Sequence, residues 1–548
     1  MMNLISVINK KISMKKIHIL LFTTLVLGVI SCKKVLETAP TNQVPFDNAF
    51  STADYCLLSL NGVYDAAQSG PYAGGTERRG YPFGAANIEQ GDCRGEDMIN
   101  LAAFFQITYQ ASYNSTAANC VALWDNSYGL INKANVSIDG FKEAGTKGII
   151  TAAVATQYEA ECRFLRALAH HELAIHFARP FLDGAGAKDG IPYRDFAISS
   201  PTAVEQIRST PRPKVSEDYT KILADLDFAE ANLPSTYSSA TTKTTRANKA
   251  AAIALKMRVK MHMGDWAGVI TEGNKLVPAT INPLAWTSVA SPIGGWALTS
   301  AVDGPFTNNS STESIFSVKN DAQDAPSVNG GLAGMLGSAT LGGRGLVAIS
   351  PIIWNNSAWK CNDKRRAALY VTGASNISTT NLSYFTTKYR DYATRGDFAP
   401  QIRYAEVLLT LAEAEARSAA GVSTRAIDLL NTVRNRALQT PATEQYVAAD
   451  FADKVALVKA ILLERRIELL AEGKRWGDIS RNVMDANYTT GGIPAKAING
   501  ANGLAIYNCG GTYTPGQAAI PVTDFKFIWP IPANEIIQNP IIQQNPSY

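Results

Sequence analysis

The sequence has no C-x-x-C pair, only five histidines in 548 residues and, past residue 31, no excess charge of either sign. Each shortage removes a class of function. Without a C-x-x-C, neither a zinc ribbon nor a thioredoxin-like redox site is indicated. His170-His171-Glu172 with His176 invites comparison with the metalloprotease motif. That motif needs two histidines at i and i+4. His171 and His176 are five apart and point roughly 140° away from one another on a helix. The formal charge of +4 comes from Lys10, Lys11, Lys15 and Lys16; without them 47 basic residues face 47 acidic ones. A body of zero net charge is a poor nucleic-acid binder on bulk electrostatics. No apolar run past residue 31 approaches the roughly 20 residues of a transmembrane helix. Gly342-Gly343-Arg344-Gly345 lacks the Lys-Ser/Thr of a phosphate loop and reads as a turn. No Ser-His-Asp or Cys-His context stands out. No catalytic residue, metal or cofactor is assigned.

What is present begins with Cys32. Met14-Lys15-Lys16 gives a positive start, Ile17 to Ile30 is almost wholly apolar, and Ser31 places a small residue before the cysteine. Residues 1–31 read as an export signal with Met14 as its start. A small residue followed by Cys at the cut resembles the lipobox of bacterial lipoproteins, which makes Cys32 the lipidation site. Residues 32–50, with Pro40 and Pro45, read as a lipidated tether that lets the body stand off the membrane. Cys56, Cys93, Cys120, Cys162, Cys361 and Cys509 remain. Six cysteines allow 15 pairings, and sequence does not choose among them.

Helical periodicity dominates three blocks. Trp124 to Asn135 and Thr156 to Phe177 carry apolar residues at three-and-four spacing. In the block from Ser216 to Val277, Ala252, Leu255, Val259 and Met263 form one stripe beside Ile253, Met257 and Met261. Gly264-Asp265 breaks that helix, and Trp266 opens another. The third block runs from Tyr404 to Arg481, with a stop at Gly421 and Ser423 as an N-cap. Tyr404 to Ala437 covers 34 residues, the tetratricopeptide period, although the strict signature of that repeat is absent. One helical hairpin cannot bury its apolar face alone, but several in a row can.

Between about 278 and 400 the chain turns to Gly, Ser, Thr and Asn, yet holds Trp286, Trp296, Trp354 and Trp359. A long non-helical stretch so rich in tryptophan is functional rather than disordered. Residues 70–115 are a smaller region of the same kind, and 486–522 form a third. Aromatic rings cover the apolar faces of sugars while polar side chains bond their edges. The candidate stacking residues are Trp286, Trp296, Trp354, Trp359, Tyr81 and Tyr113, and the polar candidates are Arg79 and Asn114. Half or more of the tryptophans are expected to pack loops onto helices. Trp124, Trp266 and Trp476 sit within helical motifs and are assigned to the core. Glu464, Glu468 and Glu472 share one helix face. They read as part of a structural ion-pair network with Arg465, Arg466 and Arg475, rather than as a glycosidase acid–base pair.

Several phrases resemble the SusD/RagB family of lipoproteins. They are Arg403 to Leu409 with Ala412-Glu413-Ala414, Leu430 to Ala437, Glu464 to Leu469, Glu472 to Trp476, and the tail from Pro530 to Tyr548. Trp124, Tyr128, Ile131 and Asn135, then Arg246, Lys249-Ala250-Ala251 and Gly264-Asp265-Trp266, and Glu313 to Phe316 match earlier motifs in order. The resemblance implies a mainly α fold, a tetratricopeptide-like α-α superhelix over residues 51–548 with a large loop-rich ligand-binding region inserted at about 278–400. It implies a non-enzymatic glycan receptor, lipid-anchored in the outer membrane and facing outward, acting with a SusC-like TonB-dependent transporter. A peptide-binding receptor of the same type, and a helical-repeat scaffold for outer-membrane assembly, are the alternatives.

Overall fold

The computed structural model describes residues 48–548. Cys32, the signal over 1–31 and most of the tether lie outside the described residues. Residues 48–58 contain the first turn of helix Ala53–Gln68, and Ser59–Tyr548 form one compact unit. Among the described residues no helix is long and apolar enough to cross a membrane.

Eight helices build the scaffold: α1 (Ala118–Thr146), α2 (Ala152–Phe177), α3 (Val215–Asn232), α4 (Lys249–Met263), α5 (Trp266–Leu276), α6 (Tyr404–Ser418), α7 (Thr424–Arg434) and α8 (Lys454–Glu468). Each packs on the next from α1 to α7, and α8 lies on α6 and α7. Local chemistry sets the boundaries. The Asn248 side chain caps α4 by accepting from the Ala251 N–H at 3.0 Å. Gly264 ends that helix in the left-handed conformation at φ 72°, where glycine has no Cβ to clash. Asp265 then caps α5 through the Gly268 N–H. Ser423 caps α7 through the Ala426 N–H, as its position predicts. Helix α4 is buried on nearly all sides, because α2, α3, α5 and α6 all pack against it. Both of its expected stripes are interior apart from Met263.

The third block is fastened by buried charge. Arg365, Lys388, Arg403, Arg434 and Arg436 meet Asp363, Glu313, Glu464, Glu468 and Glu472, five cations against five anions, each side chain at most 5% exposed. Arg436 holds Glu313 at 2.6 Å and Glu468 at 2.5 Å. Arg403 reaches Glu472 at 2.7 Å, and Arg365 reaches Glu464 at 2.6 Å. Burial pushes the Glu468 carboxyl up, but the guanidinium groups of Arg436, Arg403 and Arg365 override it and hold the acid below its usual range. The ion-pair network is therefore present, but its partners differ from those expected. Neighbours one residue apart on a helix point about 100° apart. Arg465 consequently turns to Asp478, while Arg466 and Arg475 turn to Glu96 and Asp97.

The loop-rich segments are ordered around short antiparallel pairs. Ser314–Val318 pairs with Ala399–Arg403, Met98–Asn100 with Val347–Ile349, and Tyr370–Ser375 with Ser378–Thr386. The turn around Gly342-Gly343-Arg344-Gly345 uses positive φ at Gly342 and Gly345. Gly473 lies where Ala85–Cys93 meets the end of the charged motif, and an added Cβ there would come within 2.9 Å of the Ile88 backbone. Cys361 and Cys509 form a disulfide with Cα atoms 5.7 Å apart, and Cys56, Cys93, Cys120 and Cys162 are buried thiols.

Candidate functional site

The three histidines of the tempting motif are interior packing residues. His170 stacks on Tyr193 at 3.8 Å, His171 packs edge-on to His262, and His176 lies between Trp476 and Trp529. Burial pushes His171 down to about 3 and His176 down to about 4, so both rings are neutral at physiological pH. Among the described residues no group of three or more His, Cys, Asp or Glu is placed to hold a metal ion.

A polar cavity of about 40 Å³ lies inside the scaffold beside His171, His262, Arg258, Glu406 and Lys474. A few water molecules fill such a volume, whereas ligand pockets begin near 300 Å³. This cavity is therefore too small for a sugar ligand.

Most of the expected stacking residues are interior. Trp359 is 0% exposed, Trp296 and Tyr81 1%, Tyr113 5% and Trp354 6%. Trp354 stacks on Tyr384 at 3.8 Å and meets Trp359 edge-on at 5.6 Å. Arg366 lies 4.0 Å from the Trp359 ring centre and donates to the carbonyls of Trp354 and Trp359. That cluster pins the Tyr370–Thr386 hairpin and, through Tyr507 on Tyr384, the 486–522 loop. Lys243 sits 4.1 Å over Trp296. Tyr81 donates to Gln90 at 2.7 Å, and Tyr113 donates to the Lys526 carbonyl and packs on Trp529. With their faces covered, these five hold the loops and present no ring to a ligand in this conformation. Three of the four loop tryptophans are thus packing residues, in line with the expected share. Trp286 is half-buried on a short 3-10 turn, Pro283–Ser288, that packs on α7. Asn114 is exposed and closes a turn, accepting from the Thr116 N–H at 3.0 Å. Trp124 and Trp476 are core, while Trp266 is half-buried beneath Arg417.

Arg79 is placed differently. Its guanidinium lies 4.6 Å from the ring centre of Tyr72 and 4.3 Å from that of Phe104, both half-exposed. The two rings are 5.7 Å apart and tilted by 49°. Tyr72 is fixed by donating to Asn119 Oδ1 at 2.7 Å, and Asn119 donates in turn to Thr108 at 3.1 Å. Arg79 Nε is buried without a hydrogen-bond partner, the residue as a whole is half-buried, and among the described residues Nη1 and Nη2 make no hydrogen bond or ion pair. This is a rigid aromatic corner with a free forked donor, suited to a flat molecule carrying acceptor oxygens. Tyr72 and Phe104 did not stand out in the sequence. The available signal was the density of aromatic residues over 70–115, which marks the region but not the pair.

Comparison with known proteins adds to this geometry. Residues 355–548 match the model of the SusD family, and residues 85–261 match a model described as starch-binding and associating with the outer membrane. SusD-like protein P38 of Formosa agariphila is 24% identical, over 97% of this chain and 99% of its own length. A SusD superfamily protein from Bacteroides fragilis superposes with a TM-score of 0.71 at 26% identity, covering 90% of this chain and 99% of that one. Surface glycan-binding protein A from Bacteroides uniformis shares the fold, with a TM-score of 0.66 at 19% identity over 90% of this chain and 99% of its own.

Proposed function

We propose that this chain is a member of the SusD family and a glycan receptor that captures an oligosaccharide or polysaccharide on its loop-rich face. Family members are binding proteins rather than enzymes, and the family is associated with the outer membrane. The observation that carries the reading is the Tyr72–Phe104 corner around Arg79. Ring faces there suit the apolar C–H side of a sugar, and free N–H groups suit its oxygens. The starch-binding description of the model over 85–261, which includes Phe104, and the glycan-binding relative from Bacteroides uniformis agree with it.

In this reading Cys32 carries the lipid and residues 32–50 tether the body on the outer face of the outer membrane. The captured glycan passes to a SusC-like TonB-dependent transporter, with the tether allowing a hinged closure. No cofactor or metal takes part.

Isothermal titration of the purified protein against a polysaccharide panel, with a peptide panel beside it, tests the receptor. Saturable binding to a glycan is expected, and silence across the glycans would overturn the reading. Heat with peptides alone would replace the ligand class. Co-purification of a TonB-dependent transporter with the tagged, lipidated protein from its native membrane tests delivery. Loss of membrane association in Cys32→Ala tests the anchor.

A further inference from the structure

We infer that the ligand is anionic, a glycan bearing uronate carboxylates or sulfate esters, held at a rim of three guanidinium groups: Arg79, Arg344 and Arg395. The inference rests on the glycan-receptor reading and deepens it.

Many arginines among the described residues are committed. Arg365, Arg403, Arg436, Arg465, Arg466, Arg475 and Arg481 meet carboxylates, and Arg94, Arg212 and Arg366 donate to backbone carbonyls. Arg79 meets none among the described residues. Its neighbour Arg78 shows that the difference is one of direction. Residue 78 bridges to Pro71 in an extended segment, where successive side chains point to opposite sides. Arg78 turns to Asp65 at 3.8 Å, while Arg79 turns to the aromatic corner. There its Nε is desolvated with nothing to accept from it. An oxyanion arriving from solvent would meet the terminal nitrogens, which have no acceptor among the described residues.

The segment 327–331 joins this corner to the other two arginines. Ser327 donates to the Arg78 carbonyl at 2.8 Å, and Asn329 donates to Glu77 at 3.3 Å. On its other side Asn329 accepts from Arg344 Nη1. Gly331 abuts Arg395 so closely that an added Cβ would come within 2.9 Å of that side chain. Arg395 makes no side-chain hydrogen bond or ion pair among the described residues, and Arg344 has no carboxylate in ion-pair reach. The carboxyl that acts on Arg344 is Glu89, which is wholly buried with both oxygens unpartnered. Burial pushes it well above the usual carboxylate range. Glu77 lies at this edge beside Asn329, Asp65 is taken up by Arg78, and Asp321 and Asp391 lie next to Gly396 beside Arg395. A planar fork on aromatic faces matches carboxylate or sulfate oxygens better than it matches neutral hydroxyls.

The test titrates the purified protein with fragments of matched length: neutral galactan, oligogalacturonate and sulfated galactan. The expected result is binding of one anionic set about tenfold tighter than the neutral set, weakening steeply as salt rises from about 50 to about 500 mM. The set that binds identifies carboxylate or sulfate as the group. Arg79→Gln and Arg344→Gln should each cost about tenfold or more on that set, the worth of a charge-assisted bond. Arg79→Lys should recover part of the loss, since it restores charge but not the fork. Melting curves report whether each variant is folded. Equal or tighter binding of neutral galactan, without salt dependence and unchanged in Arg79→Gln, overturns the anionic assignment and leaves the receptor standing. Silence across these sets and the wider polysaccharide panel overturns both.

Discussion

At the scale of single residues, this protein is set by where its charges find partners. Glu468 accepts from Arg365, Arg403 and Arg436 in the interior. Glu468→Ala removes an anion shared by three buried guanidinium groups and leaves the cluster one negative charge short. Loss of one partner from a buried ion cluster costs about 3–5 kcal/mol, so a corresponding fall in urea stability is expected. The same network fixes the response to acid. Glu468 and Glu472 have folded values held below those of the unfolded chain, against the push of burial. Between the two values the unfolded state binds more protons, so stability rises with pH through that window. The contribution is complete above about pH 5 and is lost as pH falls through the folded values, given an unfolded glutamate near 4.3. The difference in urea midpoint between the wild type and Glu468→Ala should hold steady from pH 8 to pH 5 and shrink below about pH 4; a difference unchanged down to pH 3 would contradict this. The shared face of Glu464, Glu468 and Glu472 was legible in the sequence from their spacing. Their cations were not, because Arg365, Lys388, Arg403 and Arg436 arrive from other elements.

At the scale of elements, local signals and long-range ones separate. The helix ends were readable because a cap is a contact of three residues, as at Ser423 and at Gly264-Asp265. The disulfide was not, because Cys361 and Cys509 are 148 residues apart and the sequence leaves the pairings open. Closing a loop of that length is worth about 4–5 kcal/mol in the chain-entropy account. Reduction, or Cys361→Ser, should lower the melting temperature and speed proteolytic cleavage within 486–522. Unchanged cleavage would show that the aromatic packing of Tyr507 on Tyr384 holds the loop unaided.

At the scale of the whole molecule, the helical pairs form a platform, and in the proposed function the loops held on it form the recognition surface. If the corner at Arg79 is the receptor site, Tyr72→Ala and Phe104→Ala should each weaken glycan binding about tenfold, from lost ring contact and a loosened Arg79. Trp359→Ala should act otherwise, lowering stability by about 3–5 kcal/mol as a large core truncation. Titration beside thermal melting distinguishes the two, and a stable Trp359→Ala that loses ligand would move the site to the Trp354 cluster.

The sequence by itself determined the scaffold: helix periods, caps, the 34-residue hairpin spacing and the ordered motifs that match the SusD family. These are properties of neighbouring residues, or of patterns repeated along the chain. Only the tertiary structure decided which aromatic residues are covered and which arginine is left free. Trp354, Trp359 and Tyr81 carry the same chemistry as Tyr72 and Phe104, and Arg78 the same as Arg79. What separates them is the direction each side chain takes and what lies against it. Burial is set by segments remote in sequence, and a one-dimensional pattern does not contain it.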